Sequence, residues 1–345
     1  MRRALLIAVL CACGALAHAA TEPILDTMIL PSMRPGGSEA YTGRFLLGDL
    51  PRAWAVASNG WYGGQWGGDT IAEMRDGALK SCASKGGTDC AIYAEDLDVV
   101  WHGRQPLARP QQPAIIAERG YEVVPDRRFF WFGPQAAEGV VLFGHGFGGA
   151  KADYRGSQPP GYLRALNDVG YDVIRFDRDP GWDHDPDLVA TWLRGALAEL
   201  RRRGWRTIVS AGQSRGAWNA LQMLATPGAA DAIIAASPAQ SGVDPGWLIL
   251  NGETSFYSLL AGIPRQSTRV AFIQFREDPF AGGEERRAER VRRMLVPQVG
   301  AMLMIDRPDG LKGHGAAAST DFAVRFGNCI MHFVRDPNPP TGCAQ

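Results

Sequence analysis

From residue 121 to the carboxyl end, short apolar runs alternate with longer stretches in which apolar residues recur at helical spacing. The short runs predict strands at 121–124, 129–132, 139–143, 171–176, 207–211, 232–236, 270–275 and 301–305. The periodic stretches predict helices near 162–167, 186–203, 216–225, 284–295 and 321–334. Several strands, VVLF, IIAA and VAFIQF among them, are apolar almost throughout. A strand without a polar face must be covered twice, so the pattern predicts an α/β fold, a mostly parallel sheet flanked by helices on both faces.

Ahead of residue 120 the pattern is sparser. A polar, glycine-rich stretch runs to Gly43 without clear periodicity. A strand follows at 53–57, then the loop SNGWYGGQWGG, then a helix capped by Asp69 with Ile71, Met74, Ala78 and Leu79 at helical spacing, and last an alternating strand at 90–101. Residues 41–103 therefore read as a small β-α-β module. Residues 104–119, with Pro106, Pro110 and Pro113 and no periodicity, read as the linker to a larger domain at 120–345. Trp61, Tyr62 and Trp66 in the loop either pack beneath it or stack on a sugar or peptide.

The amino terminus bears on where the chain works. Arg2 and Arg3, an apolar run to about Ala15 and the small-x-small triplet Ala17-His18-Ala19 have the form of a secretory signal peptide over 1–19. A membrane anchor needs about 20 apolar residues, more than this run has. The mature chain is therefore expected to be secreted or periplasmic, with no stable membrane insertion. Cys11 and Cys13 leave with the signal, and Cys82, Cys90, Cys329 and Cys343 remain in an oxidising compartment. Two disulfides are the natural reading, most simply the local pairs 82–90 and 329–343. A zinc site is the other use of four cysteines, but neither spacing is that of a zinc knuckle. Charges balance at 36 Lys and Arg against 36 Asp and Glu, so nothing points to nucleic acid as a partner.

The candidate chemistry centres on GQSRG at 212–216, where a predicted strand meets a predicted helix. A serine at the apex of so sharp a turn sits in strained backbone with its hydroxyl beyond the sheet, and the residues two before and two after must be small. Here both are glycine. The turn also aims the first amides of the helix, that of Arg215 foremost, at whatever Ser214 attacks. His314, in the glycine-flanked loop GLKGHGA past the last strand, is the candidate base. The acid is Asp278 or Glu277 in FREDPF. Neighbours on an extended segment point to opposite sides, and Asp278 is the better placed of the two. HGFGG at 145–149, directly after a strand, supplies a second donor to an oxyanion through the amide of Phe147, and His145 reads as a brace of that loop.

HGFGG after the third strand, GQSRG at the elbow and the chain order Ser214, Asp278, His314 together resemble the α/β-hydrolase family over about residues 120–335. The resemblance implies Ser214 as nucleophile, His314 as general base, Asp278 as its orienter, and the amides of Phe147 and Arg215 as the oxyanion hole. It implies acyl transfer through an acyl-enzyme on Ser214, with no metal or organic cofactor and a small-molecule ester or short peptide as substrate. Residues 41–103 resemble small secreted bacterial modules in which a Trp/Gly-rich strand, a helix ending in Cys and a Cys-led strand recur, and which imply no chemistry.

Three features stay open at this level. Residues 238–265, rich in Trp247, Leu248, Ile249, Leu250, Phe256, Tyr257, Leu259 and Leu260, form either a cap over the site or a helix in the core. The run FDRDPGWDHDPD at 176–187 reads as a loop that caps a helix, with a divalent cation site as the alternative. Arg215 either binds an acidic substrate group or forms a salt bridge, and Arg175 and Arg178 are candidates for the mouth of the site.

Overall fold

The structure, a computed structural model, describes residues 22–149, 151–239, 253–281 and 284–343. The signal at 1–19 and the stretch containing Trp247, Leu248, Ile249 and Leu250 lie outside them. The described strands form two sheets. The smaller comprises β1 (Arg52–Val56), β2 (Tyr62–Trp66), β3 (Ala91–Glu95) and β4 (Asp98–Val99), with helix α1 (Ile71–Ser84) between β2 and β3. It is antiparallel, in the order β2-β1-β3-β4. The central strand β1 is buried on both sides. Ala53 and Ala55 pack against Met74, Ala78 and Cys82 of α1, while Trp54 and Val56 join Tyr41, Phe45 and Tyr93 on the other face. Cys82 is joined to Cys90, and Cys329 to Cys343.

The larger sheet has eight strands: β5 (Ile116–Glu118), β6 (Tyr121–Pro125), β7 (Gly139–Gly144), β8 (Tyr171–Arg178), β9 (Ile208–Gln213), β10 (Ala232–Ala236), β11 (Arg269–Gln274) and β12 (Ala301–Asp306). Their order is β12-β11-β10-β9-β7-β8-β6-β5. Only β5 with β6 and β6 with β8 pair antiparallel. The strand alternation carries successive residues to opposite layers. Val140, Leu142, Ile233 and Phe272 enter the layer formed with α2 (Pro186–Arg203), α3 (Arg215–Gln222), α4 (Glu253–Ala261) and α5 (Glu284–Leu295). Val141, Phe143, Ile234 and Ile273 enter the layer formed with α6 (Thr320–Arg335). The mostly parallel sheet and its double cover make this the expected α/β fold.

The structure departs from the sequence reading in several places. Residues 129–132 form no strand although Phe129 and Phe130 are buried. Their backbone is satisfied by side chains instead: Asn167 accepts from the Phe130 amide at 2.8 Å and donates to its carbonyl at 2.9 Å, and Asp172 accepts from the Phe132 amide at 2.7 Å. Buried backbone groups need partners, but not ladder partners. The strand expected at 90–101 is a hairpin that turns at Asp96, and the aromatic loop contains β2. Trp54 stacks on Tyr62 at 5.2 Å and Arg34 lies over Trp61, which favours packing over a ligand platform. The first-helix cap is Thr70, in a reciprocal box with Glu73, one residue past Asp69. The proline-rich stretch carries β5 at its end, and the expected helix at 216–225 starts at Arg215 and tightens to a 3-10 turn from Met223.

Candidate active site

Ser214 stands between β9 and α3 with φ 56° and ψ −118°, a region non-glycine residues avoid. The flanking glycines have steric causes. A Cβ on Gly212 would strike the backbone of Gly216, and one on Gly216 would fall on the carbonyl of Gly144 at the end of β7. The elbow is pinned from outside as well, since the Ser214 amide donates to the Ala236 carbonyl at 3.0 Å.

His314 and Asp278 meet from two loops at the same edge of the sheet. Nδ1 of His314 lies 2.8 Å from Oδ1 and 3.0 Å from Oδ2 of Asp278, whose side chain is almost wholly buried. A carboxylate only accepts, so Nδ1 bears a proton, and the neutral ring then carries its lone pair on Nε2. Asp278 is held in turn by the amide of Phe280 at 2.9 Å, and the Phe280 ring stands edge-on to the imidazole at 4.6 Å. Glu277, in a left-handed conformation, turns outward to Lys312 at 2.7 Å. Nε2 of His314 is buried with no hydrogen-bond partner, so the ring and the Ser214 hydroxyl are not bonded to each other here. Gln213 Nε2 donates to the His314 carbonyl at 3.0 Å, tying the histidine loop to the elbow. Ser214, His314, Gly146 and Phe147 line one cavity of about 310 Å³, walled by the aromatic rings of Phe143, Phe147, Tyr154 and Phe280.

Beneath the 145–149 loop lies a buried charged cluster. The backbone amide of Arg178 donates to His145 Nε2 at 3.1 Å, and His145 Nδ1 donates to the Gly146 carbonyl at 2.7 Å. The Arg178 guanidinium donates to the carbonyls of His145 and Gly146 and pairs with Asp183 at 3.0 Å. Burial, reinforced by the Arg178 charge, holds the His145 pKa well below 6.5, so the ring is neutral and braces the loop. Both faces of the Gly146–Phe147 peptide are thereby assigned. Its carbonyl points to Arg178, and in a trans peptide the Phe147 N–H points the other way. Gly146 itself faces the elbow, a Cβ there lying 3.3 Å from that of Ser214.

Arg215 is buried. Its guanidinium donates to the Asp183 carbonyl at 2.9 Å and lies over the Phe147 ring at 4.8 Å, so it faces this cluster rather than the cavity. Arg178 and Arg175 are likewise engaged away from the mouth, Arg175 with Asp126 at 2.7 Å and with Asp177. The acidic run is divided among partners. Asp185 caps α2, Asp187 accepts from Gln222, Asp179 takes Arg155 and the Gly181 amide, and Asp183 takes Arg178. The helix-capping reading holds, and no group of three potential metal ligands occurs among the described residues. In the region left open between a cap and a core helix, α4 packs Phe256, Tyr257 and Leu260 into the core beside Trp218.

Gln213, Phe280 and Arg178 were not singled out for these roles by sequence. Gln213 directly precedes Ser214 and Phe280 lies two residues past Asp278; for Arg178 the only signal is its place at the end of β8.

No family model matches the chain, and no curated protein matches it. Among solved structures, Est1E from Butyrivibrio proteoclasticus is similar at 13% identity and a TM-score of 0.47, over 64% of this chain and 98% of that one. The Pyrococcus furiosus esterase Pf2001 is similar at 17% identity and a TM-score of 0.44, over 62% and 88%. A puromycin-hydrolyzing peptidase of Mycobacterium tuberculosis is similar at 14% and 0.42, over 62% and 37%. No described helix is long and apolar enough to cross a membrane.

Proposed function

We propose that the chain is an exported serine hydrolase that cleaves a carboxylic ester through an acyl-enzyme on Ser214. One observation carries the reading: an imidazole oriented at 2.8 Å by a buried carboxylate presents its free Nε2 in the same cavity as a serine held in strained backbone at a helix start. His314 takes the seryl proton as Oγ attacks the ester carbonyl, and Asp278 stabilises the imidazolium. The amides of Phe147 and Arg215 receive the oxyanion. The orientation of the Gly146–Phe147 peptide supports the first and the start of α3 the second. Collapse of the tetrahedral adduct expels the alcohol, which takes the proton back from His314. Water then attacks the acyl-enzyme by the same route and releases the acid. The Ser214–His314 bond is expected to form as substrate enters, since catalytic hydrogen bonds tighten in the complex.

The cavity's aromatic walls suit an apolar acyl or alcohol group and favour an ester over a charged peptide. A fluorophosphonate probe tests the assignment. The wild type should take label and Ser214→Ala should not, and label that persists in Ser214→Ala means the nucleophile is another residue. A protein that binds esters without turnover would take no label in either form.

A further inference from the structure

The crossing from the first helical turns into β1 leaves its own sheet. Leu47 is buried among Tyr162, Phe322 and Phe326 of the large sheet's layer, whereas Tyr41 and Phe45 just before it pack under the small sheet. The carbonyl of Leu47 occupies the space that a Cβ on Gly161 would need. The Leu50 amide donates to Gln158 Oε1 at 3.2 Å. Beside it, burial raises the Asp49 carboxyl, and Arg164 and the Gln158 amide hold that rise down. Asp49 Oδ1 and Gln158 Nε2 are each buried without a hydrogen-bond partner, and the Gln158 amide acts on the Asp49 carboxyl as a neighbouring donor. Arg52 of β1, fully buried, fixes the crossing from within by donating to the carbonyls of Phe45 at 2.9 Å, Leu46 and Gly48 at 3.4 Å.

On its other side Gln158 lines the cavity shared by Ser214 and His314, together with Tyr154, Ser157 and Pro160. Residues 155–160 have neither helix nor strand. A wall without a ladder of its own takes its position from what stands behind it.

We propose that the amino-terminal unit is the fixed back of the substrate pocket, and that Gln158 is the positioning residue through which segment 47–50 sets the width of the wall formed by Tyr154, Ser157 and Pro160. The inference rests on the ester-hydrolase reading of that cavity. It makes the amino-terminal unit a determinant of which acyl chains fit, felt in KM more than in the chemical step.

Gln158→Glu keeps an acceptor for the Leu50 amide but sets a carboxylate against Asp49. Combining it with Asp49→Asn restores a donor facing an acceptor. Steady-state kinetics on p-nitrophenyl acetate and p-nitrophenyl octanoate read the result. In Gln158→Glu the octanoate KM should rise about tenfold relative to the acetate KM, and in the double variant that ratio should return to within about threefold of wild type. The inference is overturned if the ratio does not move, if kcat and KM worsen by the same factor on both esters, or if the second substitution brings no rescue. Fluorophosphonate labelling of the wild type separates the two levels. Absence of label removes the hydrolase reading and the pocket with it, whereas label with an unmoved KM ratio removes this inference alone.

Discussion

Replacing Asp278 with Asn changes one atom of a buried side chain and acts on the proton of His314. In the wild type the carboxylate receives Nδ1–H at 2.8 and 3.0 Å and the Phe280 amide at 2.9 Å. The amide can keep the Phe280 bond through Oδ1. Its Nδ2–H2 then stands about where Oδ2 stood, so the ring meets a donor at 3.0 Å beside the acceptor at 2.8 Å, and its proton is no longer fixed on Nδ1. In either ring form the negative charge facing the imidazolium is lost. In triads of this kind the loss is about ten-thousand-fold in kcat, or roughly 5.5 kcal/mol of barrier. Shape is conserved and a hydrogen bond to the ring persists, so stability should change by only about 1 kcal/mol. Hydrolysis of a p-nitrophenyl ester measured beside thermal unfolding separates the two effects. Glu277→Gln is the control. Its pair with Lys312 is exposed, and such pairs contribute about 0–1 kcal/mol, so kcat should stay within about twofold. A folded Asp278→Asn protein that keeps more than about a tenth of wild-type kcat, or a Glu277→Gln protein that loses as much, refutes the reasoning.

Arg178→Met removes one partner of a buried ion pair and the donor to the His145 and Gly146 carbonyls. It should lower stability by about 3–5 kcal/mol and, below its melting temperature, lower kcat about a hundredfold as the Phe147 amide loses its aim. Stability that falls with kcat unmoved would show that Arg178 does not hold that peptide. For Asp172, burial outweighs its bonds from the Phe132, Gly133 and Trp205 N–H groups and raises the pKa from 3.8 to about 6. An acid raised in the folded state contributes its stability below the unfolded value and loses it as pH climbs through the folded one. The unfolding free energy of wild type minus that of Asp172→Asn should therefore fall by roughly 2.4 kcal/mol between pH 4 and 7, read by denaturant titration, and a flat difference contradicts the assignment.

The alternation of apolar runs was enough to predict the parallel sheet, because strands such as VVLF and IIAA leave no polar face to solvent. Helix α2 could be bounded from its amphipathic period and its Asp-Pro start. GQSRG was legible because a strand-to-helix turn leaves its serine two small neighbours or none. The choice of Asp278 over Glu277 was legible as well, but the expected extended backbone is a turn with Glu277 left-handed, and that turn is what points the two side chains apart. These are local constraints, written within a few residues of the chain.

What only the tertiary structure decided concerns groups brought together from far apart. Asn167 and Asp172 satisfy the backbone at 130–133 and so replace a predicted strand, a choice invisible to periodicity. Arg215, adjacent to the serine, is drawn inward by Asp183 and the Phe147 ring, while Arg178 sets the peptide that follows Gly146. Leu47 and Leu50 join the amino-terminal unit to the wall of the cavity across more than a hundred residues. A buried charge or amide must find its partner wherever the fold places one, and sequence spacing carries no record of that distance.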